Sequence, residues 1–174
     1  MAFVFVESRI MPKQAIASCS STKAVPIGTI VRASDANYGE GEFVYLPGGA
    51  SITSVGIVVQ WVANASLPAT YTTTKASSTA TIGGNTMLLA LSKSICVTGT
   101  YAWFQISGLC SVRKVASIIS AGRTALGLKS TLGRVGRGSA SAKQVLGMRN
   151  SGISVAAATS TLLAVLDRPH VGAL

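Results

Sequence analysis

From Ile27 onward, apolar and polar positions alternate in short runs punctuated by Gly and Pro. Alternation with a period of two is the signature of a strand, because successive side chains point to opposite faces. Over residues 41–46 it puts Phe43 and Tyr45 on one face and Val44 and Leu46 on the other. Pro47-Gly48-Gly49 turns the chain, and residues 55–62 form a second apolar run. Residues 67–80, rich in Thr and Ser, read as a polar loop. Gly83-Gly84-Asn85 is another turn, and residues 87–91 follow as a strand. Residues 101–107 and 109–119 read as two strands separated at Gly108. Short strands with a turn signal about every ten residues predict a barrel or a sandwich. No 3.6-residue stripe requires a helix. Residues 154–166 admit one through their Ala run, although Val155, Thr159, Thr161 and Val165 favour strand.

Two stretches depart from this rhythm. Residues 1–23 have no consistent period beyond Phe3-Val4-Phe5-Val6, and Pro12 stops any helix through them. They read as an N-terminal arm that gains order only by lying on a neighbour. Residues 122–152 interleave seven glycines with Arg123, Lys129, Arg134, Arg137, Lys143 and Arg149. Glycine at that density resists a packed interior, so loops with a few edge strands are expected. The expected fold is mainly β: a single antiparallel β-barrel or β-sandwich domain over residues 24–174, with the extended arm and Gly-rich basic loops.

Composition sharpens the picture. The 174 residues are 48% hydrophobic but only 11% charged, against roughly 25% charged in an average soluble domain. So few charges cover little surface, which points to a chain partly covered by other subunits. The net charge is +10, and no acid lies between Phe43 and Leu166, whereas ten Lys and Arg do. A surface so one-sided attracts an acidic partner, either protein or nucleic acid. No stretch reaches the roughly 20 apolar residues of a membrane span. The first residues lack a basic leader, so synthesis and assembly in a cytosol are expected. Three irregularly spaced cysteines, Cys19, Cys96 and Cys110, suggest no disulfide framework.

Candidate chemistry is sparse. His170 is the sole histidine, three residues after Asp167, and no Gly-x-Ser-x-Gly elbow accompanies it. A hydrolase using His170 remains an alternative reading, but no enzyme is expected. Glu40 and Glu42 share a strand face, yet nothing in the sequence supplies the burial that would part their pKa values. No metal-ligand spacing and no cofactor motif occur. The run from Gly122 to Ser130 imitates a phosphate-binding loop, but Leu128 separates the second glycine from Lys129 and turns the lysine away. Asn64-Ala65-Ser66 matches a glycosylation acceptor that a cytosolic chain never presents to its enzyme. The basic tract could follow a phosphate backbone, but it has no aromatic stacking platform, which favours a protein partner over nucleic acid.

Three blocks carry a resemblance. Val25-Pro26-Ile27-Gly28-Thr29-Ile30-Val31-Arg32-Ala33-Ser34-Asp35, continued by Tyr38-Gly39-Glu40-Gly41-Glu42-Phe43-Val44-Tyr45-Leu46, resembles the opening of a family of small tailed-phage virion proteins described as head decoration or capsid-stabilising (cement) proteins. Tyr101-Ala102-Trp103-Phe104-Gln105-Ile106-Ser107-Gly108 is similar to a later block of that family, and Leu166-Asp167-Arg168-Pro169-His170-Val171 to its closing segment. Ala102 stands where the family usually has Gly, and the basic density of 122–149 exceeds the family pattern. The resemblance implies a β-barrel or sandwich without catalysis that binds the major capsid protein as part of the virion. On this reading Phe3, Phe5, Arg9 and Lys13 are arm contacts. Arg123, Lys129, Arg134, Arg137, Lys143 and Arg149 are electrostatic contacts with acidic capsid surface. Phe43, Tyr45, Trp61, Trp103 and Phe104 are expected in the core. Trimers or dimers on the capsid are expected. The alternatives are a head fibre or host-surface binder, and a sequence-independent nucleic-acid-binding protein.

Overall fold

The structure is a computed structural model, and it describes residues 3–5, 14–50, 52–64, 70–76, 87–116, 119, 122, 124–138 and 144–171. Among these residues twelve strands occur in chain order: β1 (Phe3–Phe5), β2 (Cys19–Ser20), β3 (Ile30–Asp35), β4 (Gly39–Pro47), β5 (Val58–Asn64), β6 (Thr70–Lys75), β7 (Met87–Ser92), β8 (Tyr101–Arg113), β9 (Ala125–Leu128), β10 (Val135–Arg137), β11 (Gln144–Asn150) and β12 (Thr161–Val171). No helix occurs among the described residues. The strands form one antiparallel, barrel-like sheet that does not close, with the path β1-β3-β4-β8-β7-β12-β11-β9-β10. The mainly-β expectation therefore holds.

The sheet is organised around three strands that all pair with one another. β8 pairs with β4 along one edge. Along its other edge it meets β7 at Gln105 and Phe104, and then β12 from Ser107 to Arg113. β12 leaves β8 after Asp167 and rejoins the sheet on β7, where His170 faces Leu88. From this junction β4, β5 and β11 lead out into three arms.

Each arm has apolar side chains on the faces that meet its neighbours, giving three clusters. Val44, Leu46, Val59, Ala90 and Phe104 pack between the β4–β8 and β5–β7 arms. Val58, Leu89, Leu91, Val112, Leu126, Met148 and Leu166 fill the space between β5–β7 and the β9–β12 arm. Phe43, Tyr45 and Trp103 lie on the third face with Ile16, Val31 and Ala33. The predicted two-faced reading of β4 is correct, and both of its faces are buried. Phe43, Tyr45, Trp103 and Phe104 are fully buried, while Trp61 packs half-buried at the margin of its cluster.

Part of the region expected as an arm is built into the body. Ile16 is completely buried. Buried Gln14 accepts a hydrogen bond from Tyr45 Oη at 2.8 Å and donates to Tyr101 O at 2.8 Å, while its carbonyl accepts from Trp103 Nε1 at 3.2 Å. These bonds satisfy the polar tips of aromatics that would otherwise be stranded in the core.

Several local expectations change. Residues 101–113 form one strand rather than two, because Gly108 adopts φ 97° and bends β8 without ending it. Thr70–Lys75, expected within a loop, is strand β6; β-branched Thr suits a ladder, and here the ladder partner is β5. The ambiguous run 154–166 resolves into a loop up to Ser160 and then strand β12. Within 122–152, β9 and β11 are interior strands of their arm and β10 is its edge. The turn at 83–85 lies outside the described residues.

Candidate functional site

Paired residues on neighbouring strands point to the same face, so register and burial together separate the two faces of the β9–β12 arm. Leu126, Leu128, Val135, Val145, Met148, Leu162, Ala164 and Leu166 point inward to the core. The outward set includes Ala125, Lys129, Arg134, Gln144, Leu146, Arg149, Leu163, Val165 and Asp167. Leu109, Val165, Arg149 and Ala125 form one row across β8, β12, β11 and β9. A second row runs from Leu88 through His170 to Leu146. Leu88 and Leu146 are 42% and 45% exposed, which is high for leucine in a sheet interior.

A groove crosses this outer face because β11 bows away from β9. Gln144 faces Gly127 and Arg149 faces Ala125, so β11 advances five positions while β9 moves two. The extra residues cannot all pair, and they open a cavity of about 360 Å³ lined by Ala125, Gln144, Val145, Leu146, Gly147, Met148, Arg149, Val165 and Asp167, with Val145 and Met148 reached through the gap between the strands. Gly147 sits at the bow with φ 71°, and a side chain there would run into Asp167 O.

Of the basic contacts expected from sequence, Lys129, Arg134 and Arg149 share this outer face. Lys129 and Arg134 close the β9–β10 hairpin, where Lys129 N donates to Arg134 O at 3.2 Å. The stem of Lys129 lies where a side chain on Gly136 would stand, so that glycine makes room for it. Arg137 is exposed on edge strand β10, opposite Leu126, and so lies at the rim of the other face. Phe3 and Phe5 lie in β1, opposite Asp35 and Ala33 of β3. Arg9, Lys13, Arg123 and Lys143 lie outside the described residues.

The acids gather elsewhere. Glu40 pairs with Arg32 at 3.0 Å, and Glu42 pairs with Arg168 at 3.1 Å. Both pairs share a polar cleft with Ser107 and Asp167. Asp35 is buried, and its Oδ1 accepts from Asn37 N at 2.7 Å. Neither of these ion pairs involves Lys129, Arg134, Arg137 or Arg149.

Two lysines counted as surface charge in the sequence are interior. Lys93 is 7% exposed; its Nζ donates to Gln105 Oε1 at 3.2 Å and lies 5.6 Å from the centre of the Tyr38 ring. Burial lowers its pKa, opposed by the charges of Cys110 and Asp35. Lys114 is wholly buried, and its ammonium donates to Val115 O at 3.2 Å and Ala157 O at 3.3 Å. Burial lowers its pKa as well. Half-buried His170 has Nδ1 3.2 Å from Arg168 O. No group of three or more His, Cys, Asp or Glu side chains suited to a metal occurs among the described residues.

Sequence reasoning missed Leu146, Val165 and the groove itself. The signal was present in the alternation of 144–149 and 161–167, but glycine density had marked the first segment as loop. The chain matches no family model, no curated protein and no solved structure.

Proposed function

We propose that this chain is a structural protein of a tailed-phage head, a decoration protein that binds the major capsid lattice and stabilises it. One observation carries the reading: the outer face of the β9–β12 arm presents Lys129, Arg134 and Arg149 around exposed apolar residues, and none of the three is paired with a carboxylate among the described residues. Such a face attracts an acidic surface and is complementary to one.

The resemblance adds support from a different direction. Its three sequence blocks are neighbours in space, since β4 pairs with β8 and Arg168 of the closing block pairs with Glu42 of the opening one. The blocks thus supply the framework of the junction, and the divergent basic segment supplies the arm that extends from it. A subunit that grips two or more capsid proteins resists their separation, because the second contact forms at high effective concentration.

Quantitative mass spectrometry of purified particles tests this reading. A fixed, high ratio of this chain to the major capsid protein is the expected result. A trace ratio would overturn it and favour a head fibre or host-surface binder.

A further inference from the structure

We propose that the groove beside the bow of β11 is a socket for an acidic, apolar segment of the capsid subunit. An apolar side chain of that segment enters over Leu146 and Val165, and a neighbouring carboxylate pairs with Arg149. This inference rests on the reading of the chain as a capsid-bound protein, and adds the place and chemistry of the contact.

Size argues for a side chain as the occupant. The cavity of about 360 Å³ lies at the small end of the roughly 300–1,000 Å³ typical of ligand sites. That volume holds one or two large side chains and is small for a cofactor. The apolar walls come from Ala125, Leu146 and Val165, and Leu146 is 45% exposed. Burying them gains the usual hydrophobic free energy, which a phosphate backbone would not supply.

Charge decides which partner fits. Arg149 is exposed at the groove without an ion pair among the described residues, and Lys129 and Arg134 lie further along the same face, toward the β9–β10 hairpin. A second copy of this chain docked through the same face would bring the same cations against them, with Asp167 the one acid that lines the groove and Glu40 and Glu42 already paired with arginines. An acidic segment satisfies all three. Asp167 also lines the groove and repels carboxylates, so it fixes which end of the segment lies toward Arg149.

The experiment measures sedimentation of this chain with capsids assembled without it, for wild type, Arg149→Glu, Leu146→Asp and the distant control Lys23→Glu. In parallel, wild-type complexes are treated with a carbodiimide, which joins lysine amines to contacting carboxylates, and the linked peptides are sequenced. Expected are melting curves close to wild type, a loss of roughly tenfold or more in affinity for the two groove variants, little change for Lys23→Glu, and a link from Lys129 to a capsid carboxylate. Wild-type binding that both groove variants retain would overturn the socket while leaving capsid binding intact. Links from Lys129 only to another copy of this chain would also overturn it, in favour of a self-interface. Failure of wild type to bind would instead overturn the capsid reading itself.

Discussion

Arg168 and Glu42 form an ion pair, Nη2 to Oε2 at 3.1 Å, that joins β12 to β4 across β8, the strand with which both pair. The bond stands where β12 abandons β8 for β7. Arg168 has φ 44°, the only positive value at a non-glycine residue among those described. The junction therefore combines backbone strain with a bond that spans it.

That combination predicts the behaviour of two variants. A left-handed conformation costs a non-glycine residue about 1 kcal/mol. The ion pair is largely exposed on the Arg168 side, so it contributes about 0.5 kcal/mol. Arg168→Ala keeps the strain and loses the pair, whereas Arg168→Gly loses both. Urea denaturation should therefore rank Arg168→Gly above Arg168→Ala by about 1 kcal/mol, with the glycine variant near wild type. Equal losses would mean that the backbone at Arg168 is not strained.

Gly108 offers a sharper test of the junction. It has φ 97°, and a Cβ there would run into Glu40 O and lie 2.9 Å from Gly41 Cα. Gly39 has φ 74° with nothing within 4 Å. Gly39→Ala should cost only the conformational penalty, about 1 kcal/mol. Gly108→Ala must in addition push β4 off β8 and should cost several times as much, or yield insoluble protein. Comparable costs, read by urea denaturation, would show that β4 relaxes freely.

These positions mark how far the sequence could be read. The alternation through Phe43–Leu46 put Phe43 and Tyr45 opposite Val44 and Leu46, as β4 has them; that both faces are buried depends on the layers packed on either side, which the structure supplies. Gly108 was visible as an interruption, but whether a glycine ends a strand or bends it depends on a partner that sequence does not name. Here β4 and β12 hold both sides of the bend. The excess of basic residues was legible through their number alone. Their facing was not, because it follows from the registers of β9, β10 and β11, which long-range pairing sets. Lys114 is the clearest case: it reads as surface charge until the loop around Ala157 closes over it.

Lys114 should accordingly act as a structural group. Its backbone N donates to Ser160 O at 3.0 Å and its ammonium donates to Val115 O and Ala157 O. Lys114→Met preserves the stem and strands those two carbonyls, which predicts a loss of about 2 kcal/mol or more. Hydrogen exchange should rise most in residues 151–160. A variant as stable as wild type would mean that water replaces the ammonium without cost.

Alkaline pH should destabilise the protein through its buried thiols. Burial pushes the Cys110 pKa from 9.0 up to about 12, against the opposing charge of Lys93. The folded state then holds a proton that the unfolded chain releases, so this stability is complete below pH 9 and is lost as pH rises toward 12. The full effect amounts to about 4 kcal/mol. Tyr45, raised by burial from 10.0, adds a loss of the same sign above pH 10. Lys93 and Lys114 act in the opposite direction below 10.5, because their lowered values let the folded state shed protons first. Denaturation midpoints measured from pH 8 to 11.5 should fall overall, and Cys110→Ala should flatten the fall. An unchanged slope in that variant would assign the loss to other groups.

Ionic strength separates the contribution of the basic face to binding from any contribution to folding. Arg134 and Arg137 have no ion-pair partner among the described residues, so reversing them to Glu should shift stability by no more than about 0.5 kcal/mol. On the proposed reading, wild-type binding to capsids should weaken as salt rises, because exposed charges are screened within about 10 Å at 0.1 M. Arg134→Glu should bind more weakly than wild type and with a shallower salt dependence, since it removes part of what salt screens. Arg137→Glu is the useful contrast, because Arg137 lies at the rim of the opposite face. If the two reversals weaken binding equally, the partner is drawn by net charge alone. If Arg134→Glu is clearly the more damaging, the outer face makes the contact.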